Sequence, residues 1–521
     1  MNRQLRIGIG IAILLVGMFV GNRWTCYIAS IRTDQIPNAT EATGFTKDAA
    51  PPVQSDRTIL PADSGDAILF RDRTAESGID FGFCGSPTAN AFMTEQNGGG
   101  VAVFDLDNDD RPDVFIVNNA GHGHVSDRRP CTNAAYRGKG DFQLTDCSLP
   151  AGLAAACFGM GCATGDIDND GFQDLFVACY GQDRLWRNNG DGTFTEITRD
   201  AGITDDSWGT SAAFCDLDGD GNSDLYVVNY VEWTPDVPPC HPPDHPEINS
   251  ICSPAERPAV PDTLYQNNGD GTFRDVSATA GIQNVADGRG LAIGMADLNL
   301  NGRPDIYIAN DTSPNSLFRN DGDLKFTDAG VSSGTAISSD GRIGAGMGVA
   351  MADFDRNGLG DIAVTNFRNQ INDLFLNVGQ YNFLPGNSAM GLDAVSRMPL
   401  SFGIAAADFN LDGYCDLFVA NGHIWNWESI GSEFQYHMTP QVLKNVRGVR
   451  FEDVSETAGD YFQHRFLARA VASGDLDNDG DTDLVITNAD TPPVILENLT
   501  ERRGLRITLV GRTTARDGRG V

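Results

Sequence analysis

The sequence predicts an all-β protein, a seven-bladed β-propeller with one Asp-rich loop in each blade. Three observations predict it. A nine-residue pattern, D-x-[DN]-x-[DN]-G-x-x-D, recurs seven times, starting at Asp105, Asp166, Asp216, Asp297, Asp353, Asp408 and Asp475, at intervals of 61, 50, 81, 56, 55 and 67 residues. Each copy stands between a small-residue segment, such as GGGVAVF or SFGIAAA, and a β-rich run, such as LFVACY or LYVVNY. A third segment with a tight turn follows, as in LWRNNGDGTFTEIT and LYQNNGDGTFRDVS. Asn-Gly and Asp-Gly between apolar runs are hairpin signals. The unit is therefore strand, Asp loop, strand, turn, strand, and the small residues ahead of each loop suit an innermost strand where blades crowd the axis.

Along the chain, residues 1–24 join a basic start (Arg3, Arg6) to an apolar run from Ile7 to Val20. That run is shorter than the about 20 residues of a membrane span. It fits the apolar region of a signal peptide, with an uncleaved membrane anchor as the alternative. Residues 25–65 are rich in Thr, Pro, Asp and Ala and read as a flexible linker. The propeller is expected over 66–498. Its first segment, ILFRDRTAESGI from Ile68, resembles the end of a repeat yet precedes the first loop. It is predicted to supply the outer strand of the last blade and so remove an exposed sheet edge. The 81-residue interval holds an insertion from Glu232 to Pro261, in which Cys240 and Cys252 are the first candidate disulfide pair; Cys131 and Cys147 are the next. For Cys157, Cys162, Cys179, Cys215 and Cys415, in strand-like runs, buried thiols and disulfides are both open. After Asn498 a new strand-like run begins (GLRITLVG), so 499–521 is read as the opening of a further domain.

The loops carry the chemistry. Positions 1, 3, 5 and 9 are Asp105, Asp107, Asp109 and Asp113 in the first copy, and Asp166, Asp168, Asp170 and Asp174 in the second. They are Asp216, Asp218, Asp220 and Asp224 in the third, and Asp297, Asn299, Asn301 and Asp305 in the fourth. The fifth has Asp353, Asp355, Asn357 and Asp361, the sixth Asp408, Asn410, Asp412 and Asp416, and the seventh Asp475, Asp477, Asp479 and Asp483. Oxygens at positions 1, 3 and 5 converge on one ion, as in the first half of a helix-flanked EF-hand loop, and Gly at position 6 permits the left-handed turn around it. Hard oxygen donors without His or Cys favour calcium over zinc or copper, and several bulky carboxylates favour calcium over magnesium. The expected cofactor is Ca2+, up to seven ions, one calcium loop in each blade. The Asp297 copy, with two carboxylates, is expected to bind most weakly. Asp110 replaces Gly in the first copy, which a left-handed Asp tolerates.

The chain of 521 residues has 71 acidic and 37 basic side chains and a net charge of −34, which argues against nucleic acid or anionic lipid as a bulk electrostatic partner. Seven calcium ions would reduce that charge to −20.

These motifs resemble the FG-GAP/VCBS repeats of integrin-type propellers. The phrases L-Y/W-x-N-N-G-D-G-T-F and V-A-N-G-H (Val419 to His423) are similar to the cartilage acidic protein-like family, whose propeller precedes an ASPIC/UnbV domain; Leu505 to Val521 resembles that domain's opening. The resemblance implies calcium binding and an exported, extracytoplasmic location: secreted, periplasmic or cell-surface. It implies no activity. The expected function is a non-enzymatic module that binds a protein or glycan through loops on one face, with possible tethering to a membrane by the N-terminal segment. Those loops include the Glu232–Pro261 insertion and the stretch from His423 to His437 with Trp425 and Trp427. For the Trp pair, exposure for recognition and burial between blades are both open. The alternative is a calcium-stabilised enzyme such as a polysaccharide lyase. Only His241, His245 and His423 stand where they suit chemistry, and no nucleophile elbow, zinc-protease, phosphate-loop or dinucleotide motif is present. No catalytic residue is assigned.

Overall fold

The computed structural model describes residues 66–502 and 504, apart from 86, 120–130, 243–244, 286 and 432–433. The signal or anchor segment, the linker and the stretch from Leu505 onward lie outside these residues.

Seven four-stranded sheets form a β-propeller. Six blades take four consecutive strands. In the seventh, Phe70–Asp72 from the N-terminal end is the outer strand, paired antiparallel with Val494–Asn498 in the register Phe70↔Asn498. The ring is thus closed by the segment that the sequence placed there.

The innermost strands are Val101–Phe104, Gly159–Gly165, Gly209–Cys215, Gly290–Ala296, Gly348–Ala352, Ser401–Ala407 and Ala468–Gly474. They surround an axial cavity of about 290 Å³ whose lining includes Ala102, Ala163, Ala213, Gly294, Ala350 and Ala405. Crowding at the axis explains the small residues. A Cβ on Gly161 would stand 2.6 Å from the Thr210 carbonyl oxygen of the next blade.

Every second strand begins at the ninth residue of its loop: Asp113–Ile116, Asp174–Cys179, Asp224–Asn229, Asp305–Asn310, Asp361–Thr365, Asp416–Asn421 and Asp483–Asn488. These strands are buried on both faces, and the core lies between neighbouring blades. Phe176 of the second blade meets Phe214 of the third edge to face, for example, at 6.4 Å.

An Asn ladder, not anticipated from the sequence, joins the blades. Near the end of the third strand, Asn188 Nδ2 donates to the Leu106 carbonyl of the preceding blade at 2.8 Å. Asn267, Asn320, Asn377, Asn445 and Asn498 repeat this contact at 2.8–2.9 Å with Ile167, Leu217, Leu298, Phe354 and Phe409. Each acceptor is the second residue of an Asp loop, a buried apolar residue. The first blade has Gly138 here, because a Cβ would stand 2.2 Å from the Pro112 carbonyl oxygen. The seam between the last and first blades is held otherwise. Asn478 Nδ2 donates to the Asp110 carbonyl at 3.0 Å, Thr487 Oγ1 to that of Gly99, and Arg469 Nε to that of Gln96 at 2.7 Å.

Cys240 and Cys252 form a disulfide. The expected Cys131–Cys147 pair is corrected: Cys131 bonds to Cys84. Cys147 is sequestered beneath the outer strand of the first blade, its Sγ 3.4 Å from the Ala135 carbonyl, while residues 82–85 run beside the loop that carries Cys131. Cys157, Cys162, Cys179, Cys215 and Cys415 are free thiols.

Candidate metal centres and the opposite face

Each Asp loop joins an innermost strand to the second strand, so all seven open at one end of the propeller. Their backbone is set by two left-handed residues. Position 6 has φ between 64° at Asp110 and 98° at Gly480. Position 4 is left-handed too, and in three loops it is neither Gly nor Asn: Leu300 (57°), Arg356 (59°) and Leu411 (51°).

The four acidic positions have different surroundings. Position 1 caps the loop. Asp166 accepts the amides of Asp170 and Gly171 on its two oxygens at 3.0 and 2.8 Å, and Asp105, Asp216, Asp297, Asp353 and Asp408 do the same. In the last loop Gly480 donates to Asp475 at 3.2 Å. Position 5 accepts the amide of position 7: Asp109, Asp170, Asp220, Asn301, Asn357, Asp412 and Asp479 all do so, at 2.8–3.1 Å.

Position 9 pins the loop to the sheet. Asp174 takes the Ile167 amide on Oδ2 and the Asn188 amide on Oδ1, both at 2.8 Å. Asp113, Asp224, Asp305, Asp361, Asp416 and Asp483 make the same two bonds. A carboxylate has about four acceptor sites, so ligation remains open to it.

Position 3 is least engaged with backbone. Oδ1 of Asp107 and of Asp168 is buried with no hydrogen-bond partner among the described residues. Asp218 Oδ2 accepts from Gln266 at 2.8 Å. Asn299 donates weakly to Asp305 at 3.5 Å, and Asn410 to Asp412 at 3.1 Å. Asp355 and Asp477 complete the set.

Carboxylate oxygens converge within 4.8 Å of one another at positions 1, 3 and 9 in three blades: Asp105, Asp107 and Asp113; Asp166, Asp168 and Asp174; Asp353, Asp355 and Asp361. In the third blade the converging set is Asp216, Asp218 and Asp220. Position 5 joins the converging set as Asp220 in the third blade and is outside the three 1-3-9 sets; its Asx turn also shapes the loop. Burial and then neighbouring carboxylates resist ionisation here. Burial pushes Asp113 and Asp361 up to about 7 and Asp224 to about 8 against the opposing pull of the backbone amides. Such clusters of hard, crowded oxygens are suited to a divalent cation.

The opposite end carries the loops between second and third strands. In the sixth blade, the rings of Trp425 and Trp427 are 5.7 Å apart and tilted by 37°. Both are half-buried, and Trp425 packs against the hydrophobic cluster that holds Trp208, Tyr230 and Trp233. Phe367 flanks Trp425 at 5.6 Å, and the Arg368 guanidinium lies 3.8 Å over the exposed Phe434 ring. The insertion sits beside this group in the third blade. Its Trp233 packs on Trp208, Tyr180 and Phe92 at 5.7–6.0 Å.

His423 is buried, and its Nδ1 accepts the Trp425 amide at 3.0 Å. Burial, with Arg368 and Arg469 nearby, lowers its pKa to about 4, so the ring is neutral. His241 and His245 have separate partners, Ile248 O at 2.9 Å and Glu247 at 3.3 Å. The structure does not join the three into one centre.

The FG-GAP-like repeat family matches residues 105–177, 166–227, 251–308 and 297–364. Over 221 residues the chain is 26% identical to cartilage acidic protein 1 of Homo sapiens, covering 42% of this chain and 31% of that protein. Over 237 residues it is 28% identical to the Xenopus tropicalis protein of the same name, covering 44% and 33%. The chain spans about a third of the length of these curated relatives. Among solved structures, an Agrocybe aegerita lectin recognising non-reducing terminal N-acetylglucosamine superposes with a TM-score of 0.41 and 18% identity, covering 75% of this chain and 86% of that one. The repeated Asp loops, the seven closed blades, the repeat-family match and the match to the curated relatives agree: the chain is an FG-GAP-like repeat protein distantly related to cartilage acidic protein 1.

Proposed function

We propose that this protein is an exported, calcium-loaded propeller that binds a protein or glycan on the face opposite its Asp loops and catalyses no reaction. The calcium part rests on the convergence of three carboxylates within 4.8 Å in each of four blades. In this reading the residues at positions 1, 3, 5 and 9 supply the ligands, with position 5 also orienting the loop through its Asx turn, and the ions staple the ends of innermost and second strands. The four-carboxylate loops bind most tightly and the Asp297 loop least. Two disulfides suit an oxidising compartment. The domain order we propose is signal peptide or anchor (1–24), linker (25–65), propeller (66–498) and the start of an ASPIC/UnbV-like domain (499–521).

The binding part rests on one observation: Trp425, Trp427, Phe367 and Phe434 form a partly exposed aromatic platform beside Arg368. Flat aromatic surface with a stacked Arg is what recognition of a protein or sugar ring uses. The test is a glycan array and a candidate-protein binding screen with the purified protein and its Trp425→Ala/Trp427→Ala form. Binding that the double variant loses by tenfold or more supports the platform. Binding unchanged by the substitutions sinks it.

The competing lyase reading needs a titrating base in a substrate cleft, whereas His423 is buried and neutral. Release of unsaturated products from acidic polysaccharides would establish that reading instead.

A further inference from the structure

The seventh loop, DLDNDGDTD, carries a fifth acid at position 7, Asp481. In other blades this position serves packing. Phe172 lies against Gly190 of its own third-to-fourth hairpin, Leu359 against Gly379, and Arg303 Nε donates to the Asn320 carbonyl at 3.1 Å. The seventh blade has no such hairpin, because its fourth strand comes from the N-terminal end. The chain after Asn498 passes over the loop instead: a Cβ on Gly480 would stand 3.7 Å from Gly504. Beneath it Asp481 is 2% exposed, and neither carboxylate oxygen has a hydrogen-bond partner among the described residues. Its strongest charged neighbours are Asp479, then Asp477 and Asp475. Asp479 Oδ1 accepts the Asp481 amide at 3.1 Å, so both side chains spring from one turn.

A buried carboxylate with no donor and three acidic neighbours is stable as an anion only beside a cation. One divalent ion in this loop would leave five carboxylates with a net charge of −3. From this we propose a second divalent cation site in the seventh blade, held by Asp481 together with Asp479, next to the ion of the loop itself, with Asp479 shared between the two. Carboxylate-bridged pairs of ions about 3.5–4 Å apart are a recurrent arrangement, and calcium completes its shell of 6–8 oxygens with carbonyls and water. This inference rests on the reading of the loops as calcium sites.

The test is native mass spectrometry of the full chain in saturating calcium. Asp481→Asn removes the charge at constant shape, and Asp481→Phe copies the second blade; near-ultraviolet circular dichroism checks that both fold. The expected result is one calcium ion fewer in each folded variant than in the parent, with the rest retained. Equal counts in parent and variants overturn the second site and make Asp481 a neutral acid bonded to Asp479. A parent without calcium fails at the earlier step, the assignment of the loops.

Discussion

Asp168 and Asp174 belong to one loop, yet their oxygens meet different partners. Asp174 accepts two backbone amides, whereas Asp168 Oδ1 is buried without a donor. Replacing Asp174 by Asn turns one acceptor toward an amide as a second donor. It is expected to destabilise the fold by about 1–3 kcal/mol whether calcium is present or chelated. Asp168→Asn is expected to lower the melting temperature only in calcium, and to raise it slightly in chelator, where it relieves repulsion. Thermal unfolding of both variants in both buffers separates the roles. Leu300 presents a second residue-scale case, left-handed at φ 57° and 66% exposed. Leu300→Gly is expected to stabilise the protein by ~1 kcal/mol, because an L side chain in that conformation is strained by about that amount; an unchanged or lower denaturation midpoint refutes this. The left-handed turn at position 6 was legible in the Gly, whereas the one at position 4 was not, since Asn, Leu, Arg and Gly all occupy it.

The elements of one blade are joined to the next through the third-strand Asn. Asn377 Nδ2 reaches Leu298 of the preceding blade and Gly360 of its own, and its Oδ1 accepts the Gly379 amide. Asn377→Ala leaves buried carbonyls unsatisfied and is expected to cost about 3 kcal/mol, read as a lower urea midpoint with an unchanged slope. Asn recurs after an apolar third strand in six blades, as in LWRN, LYQN and LFLN, so its periodicity was visible in the sequence. Its role was not, because the acceptor lies 79 to 103 positions away for the inter-blade bonds of residues 377, 445, 498, 188, 267 and 320. Turn chemistry alone also accounts for an Asn before Gly.

At the scale of the whole ring, the proposed calcium loops are expected to make stability depend jointly on pH and calcium. In the metal-free protein, Asp113, Asp224, Asp361 and Asp408 have carboxyl pKa values raised to about 7–8 by burial. Their unfolded value is about 3.9. The folded state therefore holds more protons, and this contribution is fully present below the unfolded value and lost as pH rises through the folded ones. In chelator the melting temperature is expected to be higher at pH 5 than at pH 8. In saturating calcium, which displaces those protons, the order is expected to flatten or reverse. A chelated protein equally stable at both pH values contradicts it. Closure supplies the other whole-ring prediction. Removing residues 66–72 deletes the outer strand of the seventh blade and bares the Val494–Asn498 edge, so the shortened protein is expected to melt lower and self-associate, as read by light scattering.

The sequence by itself determined the repeat, the blade count, the strand order within each blade and the ring-closing N-terminal strand. Each of these follows from local pattern: Asp and Gly at fixed offsets, small residues before them and alternating apolar residues after. The acidic positions were legible for the same reason. Their division of labour was not, because it depends on which backbone amides approach each oxygen from other strands. Tertiary structure alone decided that Cys131 joins Cys84, that His423 is neutral, and that Trp425 and Trp427 are half-buried with Phe367 and Phe434 beside them. It also decided that Asp481 is buried, since a blade closed by a distant strand has no hairpin to cover its loop. Contacts between distant segments come from the closure of the ring, and no local spacing in the chain encodes them.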